Sequence, residues 1–151
     1  MHNKIIPLTP ENYMKCSNIW NMEENPARTK MYYDDMVAAN RLVFVYLEKG
    51  EYVGEGSLVF HNDDPDYTLP EKRIYLSRKI VRAEFRNRGI GGELIDFLAE
   101  YAKNNGYKEL SVGVDIANIG ARWLYEKKGF TRIIFVGEDN NGKYVKLLKT
   151  L

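Results

Sequence analysis

The spacing of hydrophobic and polar residues changes along this chain, and the spacing predicts whether each segment is a strand or a helix. Residues 41–48 and 52–60 are rich in β-branched and aromatic residues and flank a turn-like segment at residues 49–51, which predicts an antiparallel hairpin. Apolar residues recur at helical spacing from Gly89 or Ile90 to Asn105, where Gly106 ends the pattern. This segment is the clearest helix of the chain.

The same patterns place the other elements. A short apolar edge strand at residues 4–8 precedes two short helices rich in Tyr, Met and Trp, and a turn at Asn141-Gly142 closes a last hairpin. The remaining predicted elements are strands at residues 73–82, 110–114, 130–136 and 144–148 and a helix at residues 118–128. Strand, glycine turn, helix and strand form a βαβ unit, so two of these strands are predicted to be parallel neighbours. The predicted fold class is α/β, with a mixed seven-stranded sheet, about four helices and a central βαβ unit.

Composition and charge narrow the class of protein. The chain has 151 residues, which fits a single domain over residues 1–151, and its formal net charge of +1 gives no support for nucleic-acid or membrane binding. Because we find no signal peptide and no apolar run of roughly 18 residues, we expect a cytoplasmic protein. The one cysteine, Cys16, cannot form an internal disulfide, and it lies too far from His2 and His61 in sequence to indicate a zinc site. No metal is therefore expected.

Candidate chemistry centres on a glycine-rich turn, Arg86-Asn87-Arg88-Gly89-Ile90-Gly91-Gly92, which precedes the clearest helix. Glycines let the backbone approach a ligand, and the N–H groups and positive dipole end of a helix N-terminus favour phosphate. A P-loop would need Gly-Lys-Ser/Thr after the glycines, and the sequence there is Gly-Glu-Leu. A dinucleotide fingerprint would need a third glycine where Leu94 stands, so a nucleotide-binding Rossmann domain is disfavoured.

The spacing Arg86-x-x-Gly89-x-Gly91 resembles the Gln/Arg-x-x-Gly-x-Gly/Ala signature of the GNAT superfamily of N-acetyltransferases. A second motif, Asn118-x-x-Ala121-x-x-Leu124-Tyr125-x-x-x-Gly129-Phe130, looks like the family's second cofactor-proximal helix, at the family's usual interval from the first. The order of elements also matches, so the resemblance spans essentially the whole chain. It implies a GNAT-like fold and an acetyl-CoA-dependent N-acetyltransferase.

The resemblance assigns roles to residues of both motifs. The turn at residues 86–92 would bind the pyrophosphate of acetyl-CoA through backbone N–H groups, with charge-assisted contacts from Arg86 and Arg88. Backbone groups of the preceding strand would pair with the pantetheine arm and polarise the acetyl carbonyl. Tyr125 would act as the general acid that protonates the departing CoA thiolate, and Asn118 would cap its helix and contact the cofactor. The implied cofactor-binding residues are Lys79, Ile80, Val81, Arg86, Asn87, Arg88, Gly89, Ile90, Gly91, Gly92, Asn118 and Tyr125.

Neither motif provides a base that would deprotonate the acceptor amine. Many family members place a Glu or Asp on the strand before the turn, where this chain has none. Ribosomal-protein acetyltransferases of the family carry a Glu five residues before the motif Asn, and Gly113 stands there, which argues against that activity. The remaining candidates are Glu55 on the predicted hairpin, Asp115 and a water relay, of which Glu55 is preferred. Because no His is near Cys16, an acyl-cysteine route is disfavoured, and direct transfer in a ternary complex is favoured.

The sequence leaves the acceptor open. Acidic residues of the loop at residues 61–72 would either attract a cationic amine or simply be solvated. The expected partners are acetyl-CoA and a primary amine, carried by a small molecule such as a polyamine or aminoglycoside or by a peptide, and a homodimer is one open assembly. The alternative hypothesis, motivated by the missing base, is a non-catalytic module of the same fold that binds or senses acyl-CoA.

Overall fold

The computed structural model describes residues 4–151, so that His2 lies outside the described part of the chain. Within this described part, seven strands and three α-helices form the regular structure, with a long 3-10 helix at Pro10–Asn18 and a short 3-10 turn at Ala83–Phe85. The strands are β1 (Ile5–Leu8), β2 (Arg41–Glu48), β3 (Glu51–Val59), β4 (Arg73–Val81), β5 (Glu109–Asp115), β6 (Phe130–Asp139) and β7 (Gly142–Thr150). The α-helices are α1 (Pro26–Val37), α2 (Ile90–Asn104) and α3 (Ile119–Lys127).

The strands belong to one mixed sheet with the order β1-β2-β3-β4-β5-β7-β6. Strands β4 and β5 pair in parallel, whereas β1 with β2, β5 with β7 and β6 with β7 pair antiparallel. The parallel pair is joined through α2, as expected for a right-handed βαβ crossover. The predicted α/β class with a mixed seven-stranded sheet and a central βαβ unit is therefore confirmed.

The described part of the chain divides into two compact units, of which the first comprises residues 4–58 and Arg78–Leu98. Its core includes Tyr13, Cys16 and Met22, which pack with residues of α1 and β2. Helix α1 buries Thr29, Tyr32 and Met36, and this spacing places one face of the helix on the core.

The second unit comprises Val59–Ser77 and Ala99–Leu151. Strand β5 lies between β4 and β7, and its first four residues are all buried, as is typical of a strand covered on both faces. Arg73 and Glu109 form a buried ion pair of 3.0 Å between Nε and Oε1 at the beginning of the parallel ladder. This pair satisfies two charges where β4 and β5 start side by side.

The first helix differs from the sequence-based expectation in its type. Residues Pro10–Asn18 form a 3-10 helix, whose three residues per turn place every third side chain on one face. Tyr13, Cys16 and Ile19 follow this spacing and are all buried. Tertiary burial of these three side chains therefore accounts for the tighter helix better than intrinsic propensity does.

Candidate functional site

The glycine-rich turn has the backbone geometry that its sequence predicts. Asn87 and Gly89 both lie in the left-handed region, with φ of 63° and 83°, and α2 begins at the next residue, Ile90. The N–H of Glu93 donates to the carbonyl of Gly89 at 3.0 Å, which closes the first turn of the helix. The N–H groups of residues 90–92 have no acceptor within the helix, as for any helix start. Left-handed residues followed by such groups form a concave surface of donors that suits an anion.

The two arginines of the turn are held by neighbouring groups of the first unit. Arg86 donates from Nε to the carbonyl of Val81 at 3.1 Å, and Arg88 stacks its guanidinium 5.0 Å from the ring centre of Phe85. Both side chains are exposed. The hydrogen bond from Arg86 connects the turn to the end of β4. The Nη groups of Arg86 point away from this hydrogen bond, because the guanidinium is a rigid planar fork.

Gly89 provides a direct test of this backbone geometry. A Cβ added there meets no atom within 4 Å, so Gly89→Ala changes only the backbone energy. Because an L-residue at positive φ is strained, we expect the free energy of unfolding to fall by about 1 to 2 kcal/mol. Gly120→Ala is the matched control, since its Cβ also meets no atom but Gly120 lies inside α3 at ordinary φ.

Urea denaturation of both variants measures this difference. Gly120→Ala should be neutral or stabilising by up to about 1 kcal/mol, because alanine favours a helix over glycine. Equal effects of the two substitutions would show that the left-handed turn is not maintained in solution.

The second half of β4 supplies the other predicted cofactor residues of the first unit. Ile80 packs against the core of the first unit, and Lys79 and Val81 are half-buried. Burial lowers the pKa of Lys79, because desolvation disfavours its charged form. The parallel ladder between β4 and β5 contains three pairs, ending at Tyr75 and Ser111, although each strand continues beyond them. The ladder thus stops before the β4 residues that the family resemblance assigns to the pantetheine arm.

Glu55, the preferred base, is a fully buried carboxylic acid. Its exposed fraction is 1%, and its charged neighbours are Arg78 of β4 and Arg41 of β2. Burial raises the pKa of Glu55 above its ordinary value of 4.5, and the nearby Arg78 guanidinium opposes this shift without cancelling it. Arg78 in turn stacks 4.4 Å from the ring centre of Trp20. A carboxyl with a raised pKa is a stronger base than an exposed carboxylate, which favours a role in proton transfer.

Polar atoms around Glu55 share an unusual property. The Tyr13 hydroxyl, Trp20 Nε1, Glu55 Oε1 and Arg78 Nε are buried, and each lacks a hydrogen-bond partner of standard geometry among residues 4–151. The Trp20 indole lies close enough to lower the pKa of Glu55, but it makes no well-formed hydrogen bond to this carboxyl. Buried polar groups left without partners cost about 1 to 3 kcal/mol each, so their clustering favours internal water at this place.

Cys16 belongs to the same cluster and is completely buried. Burial, and then the nearby Glu55, raise the pKa of its thiol well above the usual range. The thiol is therefore protonated at neutral pH and poorly suited to act as an acyl-accepting nucleophile, in agreement with the expectation from sequence.

The second predicted motif lies in the second unit. Asn118 caps α3, since its Oδ1 accepts a hydrogen bond from the N–H of Ala121 at 3.2 Å. Tyr125 has an exposed fraction of 5% and packs edge-to-face on Phe130 with ring centres 5.3 Å apart. Burial, and then the neighbouring Tyr75, raise the pKa of Tyr125 above its usual range. The phenol thus retains its proton at neutral pH.

Gly113 and Tyr67 account for the absence of a carboxylate at position 113 of β5. A Cβ at Gly113 would collide with the hydroxyl oxygen of Tyr67. The Tyr67 ring is stacked on Tyr75 at 4.2 Å between centres, and the Tyr67 carbonyl accepts a hydrogen bond of 2.6 Å from the hydroxyl of Ser111. A longer side chain at position 113 would displace this tyrosine. Sequence reasoning missed Tyr67, because nothing local links it to a glycine on a distant strand.

The acidic loop is partly neutralised from within the second unit. Lys146 Nζ contacts Asp64 Oδ2 at 2.5 Å and Asp66 Oδ2 at 3.1 Å, and the Lys146 side chain is almost fully buried. The hydrogen bond from Lys146 lowers the pKa of Asp64. The same ammonium lies 4.4 Å from the ring centre of Phe135. These two carboxylates therefore anchor the loop, which weakens the expectation that they attract a cationic acceptor.

A cavity of about 470 Å³ lies beside the start of α3. Its lining residues are Asp115, Ile116, Ala117, Asn118, Asn141, Gly142 and Lys143. It thus contains the second candidate base, Asp115, which is exposed. Among residues 4–151 we find no cluster of three or more His, Cys, Asp or Glu side chains that would bind a metal. Nor is any helix of this described part long and apolar enough to cross a membrane.

Comparison with known proteins places this geometry in context. The model of the acetyltransferase (GNAT) family matches residues 8–130. The chain is 34% identical over 70 residues to N-acetyltransferase 8 from Homo sapiens, which covers 46% of this chain and 30% of that protein. It is 32% identical over 91 residues to the uncharacterized N-acetyltransferase YhfO from Bacillus subtilis (strain 168), covering 59% of this chain and 58% of the relative. The chain thus spans about a third of the first relative and little over half of the second.

Solved structures agree on the fold. A GNAT family acetyltransferase from Elizabethkingia anophelis, solved with acetyl-CoA bound, superposes with a TM-score of 0.69 at 21% identity, covering 99% of each chain. This similarity confirms the predicted GNAT-like arrangement of the seven strands.

Proposed function

Because the chain belongs to the acetyltransferase (GNAT) family, as its two motifs indicated, we propose that it is an N-acetyltransferase that transfers the acetyl group of acetyl-CoA to a primary amine. The observation that carries this proposal is the left-handed turn at Asn87 and Gly89, which leads into the N-terminus of α2 and offers anion-binding donors beside two arginines. The acetyl-CoA bound to the Elizabethkingia anophelis structure supports the choice of ligand.

The proposed donor contacts follow the family resemblance. Residues 86–92 bind the pyrophosphate, the backbone of Lys79, Ile80 and Val81 pairs with the pantetheine arm, and Asn118 contacts the cofactor from the cap of α3. When bound, acetyl-CoA supplies an activated thioester. Short pairing between β4 and β5 supports this assignment, since backbone groups beyond Tyr75 are not used in that ladder.

The proposed reaction is direct attack in a ternary complex. The acceptor loses a proton through water to Glu55, and its nitrogen forms a bond to the thioester carbonyl carbon. The carbonyl then re-forms as the carbon–sulfur bond breaks, and the thiolate takes the phenolic proton of Tyr125. The second proton of the acceptor nitrogen leaves to solvent, and solvent returns a proton to the Tyr125 phenolate. The buried, raised-pKa carboxyl of Glu55 and the retained proton of Tyr125 support these roles. Because Glu55 is buried, the proton transfer to it needs an intervening water among Tyr13, Trp20 and Arg78.

Thiol release with acetyl-CoA tests the proposal. We expect release of free CoA when the protein is mixed with members of an amine panel of polyamines, aminoglycosides, amino acids and N-terminal peptides. Isothermal titration of acetyl-CoA in parallel measures donor binding separately. Absence of acetyl-CoA binding would refute the proposed donor.

The second candidate is a module that binds acyl-CoA without transfer. The deep burial of Glu55 and the glycine at position 113 favour it, since position 113 provides no carboxylate. It predicts measurable acetyl-CoA binding together with no product from any amine of the panel, so the same two measurements separate the candidates.

A further inference from the structure

The guanidinium of Arg78 on β4 has no polar partner in the part of the chain that the structure describes. Among residues 4–151 it makes neither a hydrogen bond nor an ion pair, and its Nε is fully buried whereas its two Nη groups are not. By contrast, the two fully buried arginines, Arg41 and Arg73, each donate a hydrogen bond to a neighbouring side chain. A guanidinium has five N–H donors, and leaving such donors unpaired away from bulk water is unfavourable.

Two aromatic rings hold the guanidinium of Arg78 in place. Its Cζ lies 4.4 Å from the ring centre of Trp20 and 5.6 Å from that of Tyr32. The two rings meet edge to face, and both belong to the core of the first unit. Contact with a ring face stabilises the positive charge but provides no acceptor for the N–H groups at the edge of the guanidinium. Arg78 is therefore positioned but not neutralised.

Glu55 influences Arg78 without pairing with it. The Arg78 guanidinium opposes the rise in the pKa of Glu55, so the two groups interact through space. They nevertheless form no ion pair, and Glu55 Oε1 is itself buried without a hydrogen-bond partner. A cationic group and an acidic group that both lack partners in one cluster match a molecule that has both a carboxylate and an amine.

The position of Arg78 along β4 argues against a contact with the cofactor phosphates. Arg78 directly precedes residues 79–81, which we propose to pair with the pantetheine arm, and β4 runs from there toward the glycine-rich turn. The turn is connected to the carbonyl of Val81 by Arg86. At roughly 3.3 Å per residue along a strand, Arg78 is about 10 Å before Val81. The turn is the proposed site of the pyrophosphate, so Arg78 lies on the side left for the acceptor.

We propose that the acceptor is an amine with a carboxylate close to its nitrogen, as in an α-amino acid, and that Arg78 binds this carboxylate. This acceptor class rests on the proposed function, because it names the amine of the same reaction. The two Nη groups form a bidentate pair with the carboxylate, and the nitrogen is directed toward Glu55 and its water. Transfer then gives an N-acetylated amino acid through the bond changes described above. Polyamines and aminoglycosides lack a carboxylate and should be poor acceptors.

Thiol release with matched pairs of acceptors tests this acceptor class. Leucine, phenylalanine and lysine are each compared with the corresponding amino acid amide, which lacks the carboxylate charge. We expect kcat/KM of the unchanged protein to be about tenfold or more higher for the free amino acid of each pair. The amide has the less basic amine, and hence more of the reactive neutral form, so amine basicity alone would favour the opposite result.

Arg78→Met tests the residue, because it keeps an unbranched side chain and removes the guanidinium. We expect kcat/KM to fall by about tenfold or more for free amino acids and by less than about twofold for their amides. The dissociation constant of acetyl-CoA should not change. Arg132→Met is the matched control, since Arg132 is also on a strand and its side chain is 66% exposed. It should leave the preference for free amino acids intact.

The possible results separate the acceptor class from the activity itself. Transfer to amides, polyamines or aminoglycosides that equals or exceeds transfer to free amino acids would overturn the acceptor class and leave the proposed function intact. An equal loss for both members of each pair in Arg78→Met would show a structural role and would also overturn it. If Arg78→Met does not fold by circular dichroism, the preference of the unchanged protein decides. Absence of acetyl-CoA binding, or of transfer to any amine, would refute the proposed function and this acceptor class with it.

Discussion

Tyr125→Phe is expected to lower kcat by about 100-fold or more, while the dissociation constant of acetyl-CoA changes little. The substitution removes the proton that we propose for the departing thiolate and keeps the ring that packs 5.3 Å from Phe130. Loss of a group that acts only in the transition state lowers kcat and kcat/KM together. Steady-state thiol release and titration of acetyl-CoA measure the two effects separately.

Tyr33→Phe is the matched control for this substitution. Tyr33 lies on α1 and is 42% exposed, so loss of its hydroxyl should leave both kcat and acetyl-CoA affinity unchanged. A Tyr125→Phe protein with the full rate would exclude Tyr125 as the acid. Weakened acetyl-CoA binding with unchanged kcat would instead assign its hydroxyl to cofactor binding.

Glu55→Gln is the second substitution with a large expected effect. As the proposed base, Glu55 accepts the amine proton through water, and its loss should lower kcat by about 100-fold or more. Because the pKa of Glu55 is raised, activity of the unchanged protein should rise with pH through that pKa. The amide cannot titrate, so the variant should lose this limb of the pH–rate profile.

The free energy of unfolding of the unchanged protein should fall with rising pH, whereas its activity should rise. Above the ordinary pKa of 4.5 the unfolded state loses the Glu55 proton first, whereas the folded state retains it up to its raised pKa. In that interval the folded state binds more protons, so the free energy of unfolding of the unchanged protein falls as pH rises. The glutamine of Glu55→Gln cannot titrate, so the variant does not lose stability in this way. Compared with the unchanged protein, its free energy of unfolding should increase from about pH 4.5 upward until the raised pKa is passed.

Glu51→Gln is the control for both measurements, because Glu51 begins the same strand but is exposed. It should alter neither the pH–rate profile nor the pH dependence of unfolding. A Glu55→Gln protein that is fully active would exclude Glu55 as the base and leave Asp115 and a water relay as the candidates.

Local signals explain why so much of the fold was predictable. The glycine turn, the cap at Asn118 and the Asn141-Gly142 hairpin each fix a chain direction within a few residues, and the periods of β2 and α2 are regular. The 3-10 geometry of Pro10–Asn18 was not predictable, because it depends on where Tyr13 and Cys16 are buried. Tertiary packing causes this 3-10 geometry, and the helix propensities of the residues do not predict tertiary packing.

The candidate site was predictable where its residues belong to one motif. The positions of the turn and of Asn118 follow from sequence spacing. The contact of Tyr67 with Gly113 was not predictable, because the two residues are far apart in sequence. The same holds for the ion pair of Lys146 with Asp64, which are 82 positions apart. The burial of Glu55 was likewise hidden, since alternation along β3 does not show that both faces of this strand are covered.

The ion pair between Lys146 and Asp64 also sets an order of events during synthesis. The two residues are 82 positions apart, so at typical elongation rates Lys146 is made about 4 to 16 seconds after Asp64. Until then Asp64 and Asp66 lack the buried ammonium, and the loop that carries Tyr67 has its internal hydrogen bonds and its contacts with β4 and β5. The stacked Tyr67 and Tyr75 rings beside Gly113 therefore gain this support only after β7 has been synthesised.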